Sequence, residues 1–189
     1  LAEGVPGPLT SEQSRIVGIL QNNSRRLQGL IEGLLRLQQA GHVAERIGYE
    51  SLRFDVLIEQ VLETHRLIAG EKNVRFESSL VETEIIAGRE ALITIIHNLL
   101  SNAVKFSPEG ACVKIKLRRN AKQAALDVYD QGPGVKAEDA EHIFEPFFRS
   151  STSREISGVG LGLAIAREFV LAHRGELKLV PSADGGHFR

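Results

Sequence analysis

Apolar residues recur by fours and threes near the start of the chain: Ile16, Leu20, then polar Asn23, then Leu27, Leu30, Leu34 and Leu37. That spacing is an a/d heptad seam, the mark of a helix that packs along other helices. Thr10 and Gln13 stand at capping-box spacing ahead of it and predict where it begins. A lone amphipathic helix cannot bury such a seam, so a preceding helix and a second subunit are expected against it. The stretch "LAEGVPGPL" before it reads as the end of one element and a Pro/Gly turn, and Gly41 and Gly48 mark a boundary after it.

Past that boundary the pattern shortens and mixes. A helix is expected over residues 54–69, with Val56, Leu57, Val61, Leu62 and Ile68 facing inward. "VRFESSL" alternates as a strand, with Val74, Phe76, Ser78 and Leu80 on one side. A short strand over 84–87 precedes a strongly apolar helix. "CVKIKL" (112–117) and "ALDVYD" (125–130) read as strands joined by a polar hairpin. An amphipathic helix over 161–173 stops at Gly175, and "GELKLVP" predicts one more strand, whose partner in "GGHFR" reads as a hairpin cut short. Helices and mostly antiparallel strands in this mixture predict an α+β fold, a two-layer α/β sandwich.

Composition narrows the setting. The chain has 189 residues, 42% of them hydrophobic, and its 23 basic and 24 acidic residues leave a net charge of −1. One sizeable core plus a small module is affordable, and no basic footprint points to nucleic acid. Cys112 is the only cysteine, so no internal disulfide forms and a reducing, cytoplasmic setting is expected. No apolar run reaches the ~20 residues of a membrane span. The chain starts at Leu1 and has no methionine, which reads as a fragment whose sensory or membrane parts lie elsewhere.

Three stretches carry candidate chemistry. In "IIHNLLSNAVKFS", Asn98, Asn102 and Lys105 fall on one helical stripe beside a broad apolar arc of Leu92, Ile95, Ile96, Leu99, Leu100 and Ala103. Amides bordering a buried face suit ligation as well as they suit a satisfied helix surface. "DQGPGV" places Asp130 at a strand end, with Gly132 and Gly134 letting backbone approach a planar ligand, although a plain turn has the same composition. "SGVGLGLAIA" exposes backbone N–H groups at Gly158, Gly160 and Gly162, around Leu161, just where a helix starts; such a terminus favours phosphate. It is not a Walker A loop, because no Gly-Lys-Ser/Thr follows. Between the last two, "IFEPFFRS" sets Phe144, Phe147 and Phe148 to pin a loop to the core, with Arg149 behind them. "SSTSREIS" then reads as a lid containing Arg154.

Their order resembles the catalytic domain of sensor histidine kinases, in the wider gyrase and MutL group with the Bergerat ATP-binding fold. "HNLLSNAVKFSPEG" resembles the N box, "DQGPGV" the G1 box, "IFEPFFR" the F box and "GVGLGLAI" the G2 box. The heptad helix resembles the second helix of the dimerisation and histidine-phosphotransfer hairpin, part of a dimeric four-helix bundle. The resemblance implies two domains, residues 1–45 from that hairpin and 50–189 for catalysis. It implies that Asn102 and Asn98 hold Mg²⁺ against ATP, Lys105 and Arg149 meet phosphate, and Phe106 packs on adenine. Asp130 would accept from the adenine amine, Gly132 and Gly134 would allow close approach, and Gly158, Gly160, Leu161 and Gly162 would shape the lid and phosphate cradle. Where gyrase-like relatives carry a general-base glutamate, this chain has Asn98, and a carboxamide cannot take a proton from water at neutral pH. ATP is therefore expected to be held for a histidine nucleophile, which lies on the hairpin's first helix outside this chain. No catalytic residue is assigned within it; His97 points away from the amide stripe, and His42, His65, His142, His173 and His187 read as surface or packing residues. The implied partners are a second copy through the hairpin and a response-regulator receiver domain. The implied location is the cytoplasmic side of a bacterial inner-membrane sensor. The competing expectation is a degenerate nucleotide-binding or dimerisation module.

Overall fold

The computed structural model describes residues 7, 9–43, 48–150, 158–182 and 185–189, and in the first helix only part of the side chains. That helix, α1, spans Ser11–Val43. Its start is the reciprocal capping box that the sequence predicts: Gln13 N–H donates to Thr10 Oγ1 at 3.2 Å, and Thr10 N–H donates to Gln13 Oε1 at 2.9 Å. Residues 1–6, and the side chains of Leu30, Leu34 and Leu37, fall outside what is described. Of the rest of the seam, Ile16, Leu20 and Leu27 are about half exposed or more, and so are Ile31 and Leu35, which the seam did not include.

After α1 the chain runs β1 (Tyr49–Arg53), α2 (Phe54–Glu71), β2 (Arg75–Leu80), β3 (Glu84–Gly88), α3 (Arg89–Phe106), β4 (Cys112–Arg119) and β5 (Ala124–Tyr129). Two 3₁₀ turns, Ala137–Asp139 and His142–Phe144, lead to α4 (Gly162–Ala172) and β6 (His187–Phe188). The main sheet has the order β2-β4-β5-β6, parallel between β2 and β4 and antiparallel elsewhere; β1 and β3 form a separate antiparallel pair. Period-two alternation sends Val113, Ile115, Leu117 and Val128 to one face of the sheet, where α2, α3 and α4 cover them. Their neighbours Lys114, Lys116 and Arg118 point to solvent. The result is two layers, helices on one face of a mixed sheet, with the buried core residues, among those described, lying between Leu52 and Phe188.

Two expectations need correction. The buried stripe of α2 is Phe54, Leu57, Ile58, Val61, Leu62, His65 and Ala69, whereas Val56 and Ile68 are exposed. Leu57, Val61 and Leu62 are placed as expected. The helix carries apolar residues on more than one arc, and its partner α3 selects which of them is covered. The strand predicted from "GELKLVP" is reduced to an isolated bridge, Leu179 to Phe188, with backbone hydrogen bonds from Lys178 to Arg189 and from Val180 to His187 on either side.

His173 ties the small sheet to α4. Its Nδ1–H donates to the Phe169 carbonyl at 2.7 Å and its Nε2 accepts the Gly88 N–H at 3.0 Å, a pairing only the neutral ring can make. Among the described residues, no helix is long and apolar enough to cross a membrane.

Candidate functional site

The amide stripe falls where its periodicity places it. Leu92, Ile95, Ile96, Leu99, Leu100 and Ala103 of α3 are buried in the core, and Asn98, Asn102 and Lys105 emerge beside them, half-covered. The last turn of α3 would leave carbonyls unpaired. Lys72, from the turn after α2, supplies the donors, with its Nζ 3.2 Å from Val104 O and 2.9 Å from Lys105 O. No local pattern marks that lysine, since its role comes from an element thirty residues away in the chain.

These side chains line a cavity of about 530 Å³, within the range of small-ligand sites. Asp130, Gly134, Phe106, Phe148, Arg149, Gly158, Gly160, Leu161 and Gly162 line it too, so residues from all four sequence motifs converge on one space. Gly132 sits just behind Asp130, donating its N–H to Asp130 Oδ1 at 2.8 Å. Arg154 lies outside the described residues. Among the described residues, Asp130 is the only carboxylate in the lining, while Lys105 and Arg149 bring two cations.

Asp130 is nearly buried, and the same oxygen Oδ1 also accepts the Gly186 N–H at 3.1 Å. Burial pushes its pKa above the ordinary carboxylate value, while the two amides pull the other way. Its Oδ2 meets no donor among the described residues. Gly185 and Gly186, which the motif reading missed, pack directly against Asp130. A Cβ on Gly186 would lie 2.3 Å from Asp130 Oδ2, and one on Gly185 would lie 2.2 Å from the Asp130 carbonyl. A glycine pair in a terminal hairpin was the available signal, but it reads as an ordinary turn.

Lys105 is half-buried, and burial together with the neighbouring Arg149 charge pushes its pKa below the usual lysine value. Two cations held close in a partly dry cavity favour an anion between them. Lys105 also lies 5.1 Å from the Phe106 ring centroid. Phe147, expected to anchor the loop by its side chain, is 50% exposed. Its backbone makes the link instead: at a φ of 67° its N–H donates to the Gly160 carbonyl at 2.9 Å. Gly160, at a φ of 80°, has the Phe148 carbonyl 2.6 Å from where a Cβ would stand, so only glycine fits that crossing. Phe144 packs against the core as expected.

His97 borders the cavity next to Asn98, with its ring turned to α2. Its Nδ1 is 3.0 Å from Nε2 of His65, a buried residue of α2 whose pKa is lowered to about 4 by burial and by the His97 charge. Asn98 Oδ1 lies 3.0 Å from where a Cβ on Gly162 would stand, which joins the amide stripe to the start of α4. From the other side α1 closes the wall with Gly29 and Gly33, packed on Val159 and Leu161.

A two-layer sandwich with a carboxylate behind a glycine turn, carboxamides on a core helix and a glycine-rich loop at a helix start defines a nucleotide-binding protein. Residues 87–188 match the HATPase_c family, described as histidine kinase-, DNA gyrase B-, and HSP90-like ATPase, and this chain belongs to that family of ATP users. It is 37% identical over 184 residues to the sensor histidine kinase GlrK of Escherichia coli (strain K12), covering 95% of this chain and 38% of that one. Among solved structures, the mycobacterial sensor histidine kinase MprB superposes with a TM-score of 0.66 at 31% identity, over 74% of this chain and 95% of that one. Full-length ShkA in complex with AMPPNP gives 0.77 at 28% identity, over 97% of this chain and 39% of that one. The chain thus spans less than two fifths of the length of GlrK.

Proposed function

We propose that this chain is the ATP-binding catalytic portion of a two-component sensor histidine kinase, which transfers the γ-phosphate of ATP to a histidine on a dimerisation helix for relay to a response-regulator aspartate. The convergence of Asn98, Asn102, Lys105, Asp130 and the Gly158–Gly162 loop on one cavity carries the reading. Asp130 Oδ2 would accept from the purine amine, and Phe106 would pack on the base. Lys105, Arg149 and the N–H groups at the start of α4 would take the phosphates.

The residues fit Mg²⁺ as a companion of the nucleotide. Asn102 and Asn98 offer carboxamide oxygens, which suit a hard cation, and Mg²⁺ would offset phosphate charge there. No cluster of three or more acidic, histidine or cysteine side chains among the described residues forms a site for the metal alone. Mg²⁺ would therefore bind with ATP and not before it. Asn98 cannot serve as a base for water, which supports transfer to a protein nucleophile over hydrolysis. We further propose residues 1–45 as part of a dimerising hairpin and 50–189 as the catalytic domain. The relatives' names favour a sensor kinase, and we propose a response-regulator receiver domain as its partner.

Calorimetric titration with a non-hydrolysable ATP analogue tests this. Saturable binding that tightens with Mg²⁺ is expected, with no signal from Mg²⁺ alone. Asn102→Ala should abolish the Mg²⁺-dependent increment while the chain stays folded. An unchanged increment would remove the assignment, and absence of saturable binding by the parent chain would remove the function.

A further inference from the structure

The outer face of the sheet holds a carboxylate that nucleotide binding leaves unused. Asp127 stands three positions before Asp130 on β5, and alternation turns it away from the helices while Val128 enters the core. It is nonetheless fully buried, at 0% exposure. An ionised group so placed is costly unless its lone pairs are matched. Three side chains match them. His187 Nε2 and Arg189 Nε each lie 2.7 Å from Oδ1, and Arg118 reaches Oδ2 from Nη2 at 2.5 Å and from Nε at 3.1 Å. Burial pushes the Asp127 pKa up, but these hydrogen bonds outweigh it and hold the group below the ordinary value.

Two of the three donors come from the chain's closing segment. β6 is two residues long, and its register with β5 is only Val128 to Phe188 and Tyr129 to His187. So short a ladder is a weak anchor. The His187 ring adds a stack on Tyr129, with centroids 3.9 Å apart and planes 20° from parallel. Directly before His187 lies Gly186, whose carbonyl accepts the Asp130 N–H at 2.9 Å and whose own N–H reaches Asp130 Oδ1.

We propose that Asp127 is a positioning residue for recognition of the nucleotide base: by clamping His187 and Arg189 it holds the Gly185–Gly186 backbone against Asp130. Both amides then occupy Oδ1, and Oδ2 is kept as the acceptor for an exocyclic amine. This rests on the nucleotide reading above. It adds that base affinity is set from the opposite face of the sheet by a residue that never touches the ligand.

The test uses the full chain and two ligands in the presence of Mg²⁺: ATP, and inorganic triphosphate, which has no base. Asp127→Asn should raise the ATP Kd roughly tenfold, the scale of one lost charge-assisted hydrogen bond, and leave the triphosphate Kd unchanged. Hydrogen exchange at the Gly186 amide should accelerate while the amides of α3 keep their protection. Equal loss for both ligands with α3 deprotected would show a general structural role and overturn the proposal, as would unchanged ATP affinity. If Asp127→Asn fails to fold, Arg189→Gln removes one donor at the edge and should shift the same two readouts in the same directions; its failure to do so would also overturn it. A parent chain that binds triphosphate and not ATP would remove the base site itself, and one that binds neither would remove the nucleotide reading, so the failures are distinguishable.

Discussion

Asp130 shows how much chemistry one side chain holds in two oxygens. Oδ1 is committed to the Gly132 and Gly186 amides, and Oδ2 is left without a protein donor among the described residues. Asparagine has the same shape and can keep its oxygen on those amides. Its nitrogen would then stand where Oδ2 stood, turning an acceptor into a donor. Asp130→Asn should weaken ATP by about tenfold or more, since a buried donor would face the donor amine. Inosine triphosphate, whose ring offers a carbonyl in place of that amine, should lose less, so the ATP-to-ITP preference narrows or inverts. Folding should not suffer, because burial already penalises the ionised carboxylate, as its raised pKa records. Competition binding of the two nucleotides beside thermal unfolding checks both halves. Equal weakening for both would place the base elsewhere.

At the scale of elements, α1 presents two unlike faces. Ile16, Leu20, Leu27, Ile31 and Leu35 fall within roughly 100° of one another around the helix, and Gly29 and Gly33 lie on the opposite side. A Cβ on Gly33 would come 2.4 Å from Leu161 Cδ1, a buried side chain of the glycine-rich loop, whereas one on Gly18 would meet nothing within 4 Å. Glycine in a helix costs about 0.5–1 kcal/mol relative to alanine. Gly18→Ala should therefore stabilise α1 by about that amount. Gly33→Ala should gain less or lose, because Leu161 must move for the helix to stay seated. Paired thermal unfolding curves read the difference; equal gains would mean that α1 does not rest on the loop in solution. The capping box and the apolar arc of α3 were legible in the sequence, because each depends on neighbours three or four residues away. The buried arc of α2 was not, since the choice between Val56 and Ile58 belongs to α3. The clamp of Asp127 by His187 was equally hidden, with 60 positions between partners and nothing local to mark either. Asp130 and the loop glycines were readable as chemistry, but Gly186 was not: its use comes from the strand it is laid against.

The whole molecule divides its apolar surface unevenly. Among the described residues the core lies between Leu52 and Phe188, and none of them covers the exposed stripe of α1. A second copy presenting the same stripe about a two-fold axis would cover both at once, with Asn23 inside the seam to fix the register. The full chain should therefore self-associate, and Leu20→Lys with Leu27→Lys should weaken that association by roughly a hundredfold or more, given ~1.5–3 kcal/mol for each buried leucine. Nucleotide binding should survive the double substitution. Among the described residues of α1, those lining the cavity are Gly29 and Gly33, and these face away from the stripe. Sedimentation equilibrium and nucleotide titration on the same samples separate the two properties. A chain that stays monomeric at high concentration would leave the stripe to a different occupant, and a double variant that loses ATP together with self-association would mean the cavity needs the second copy.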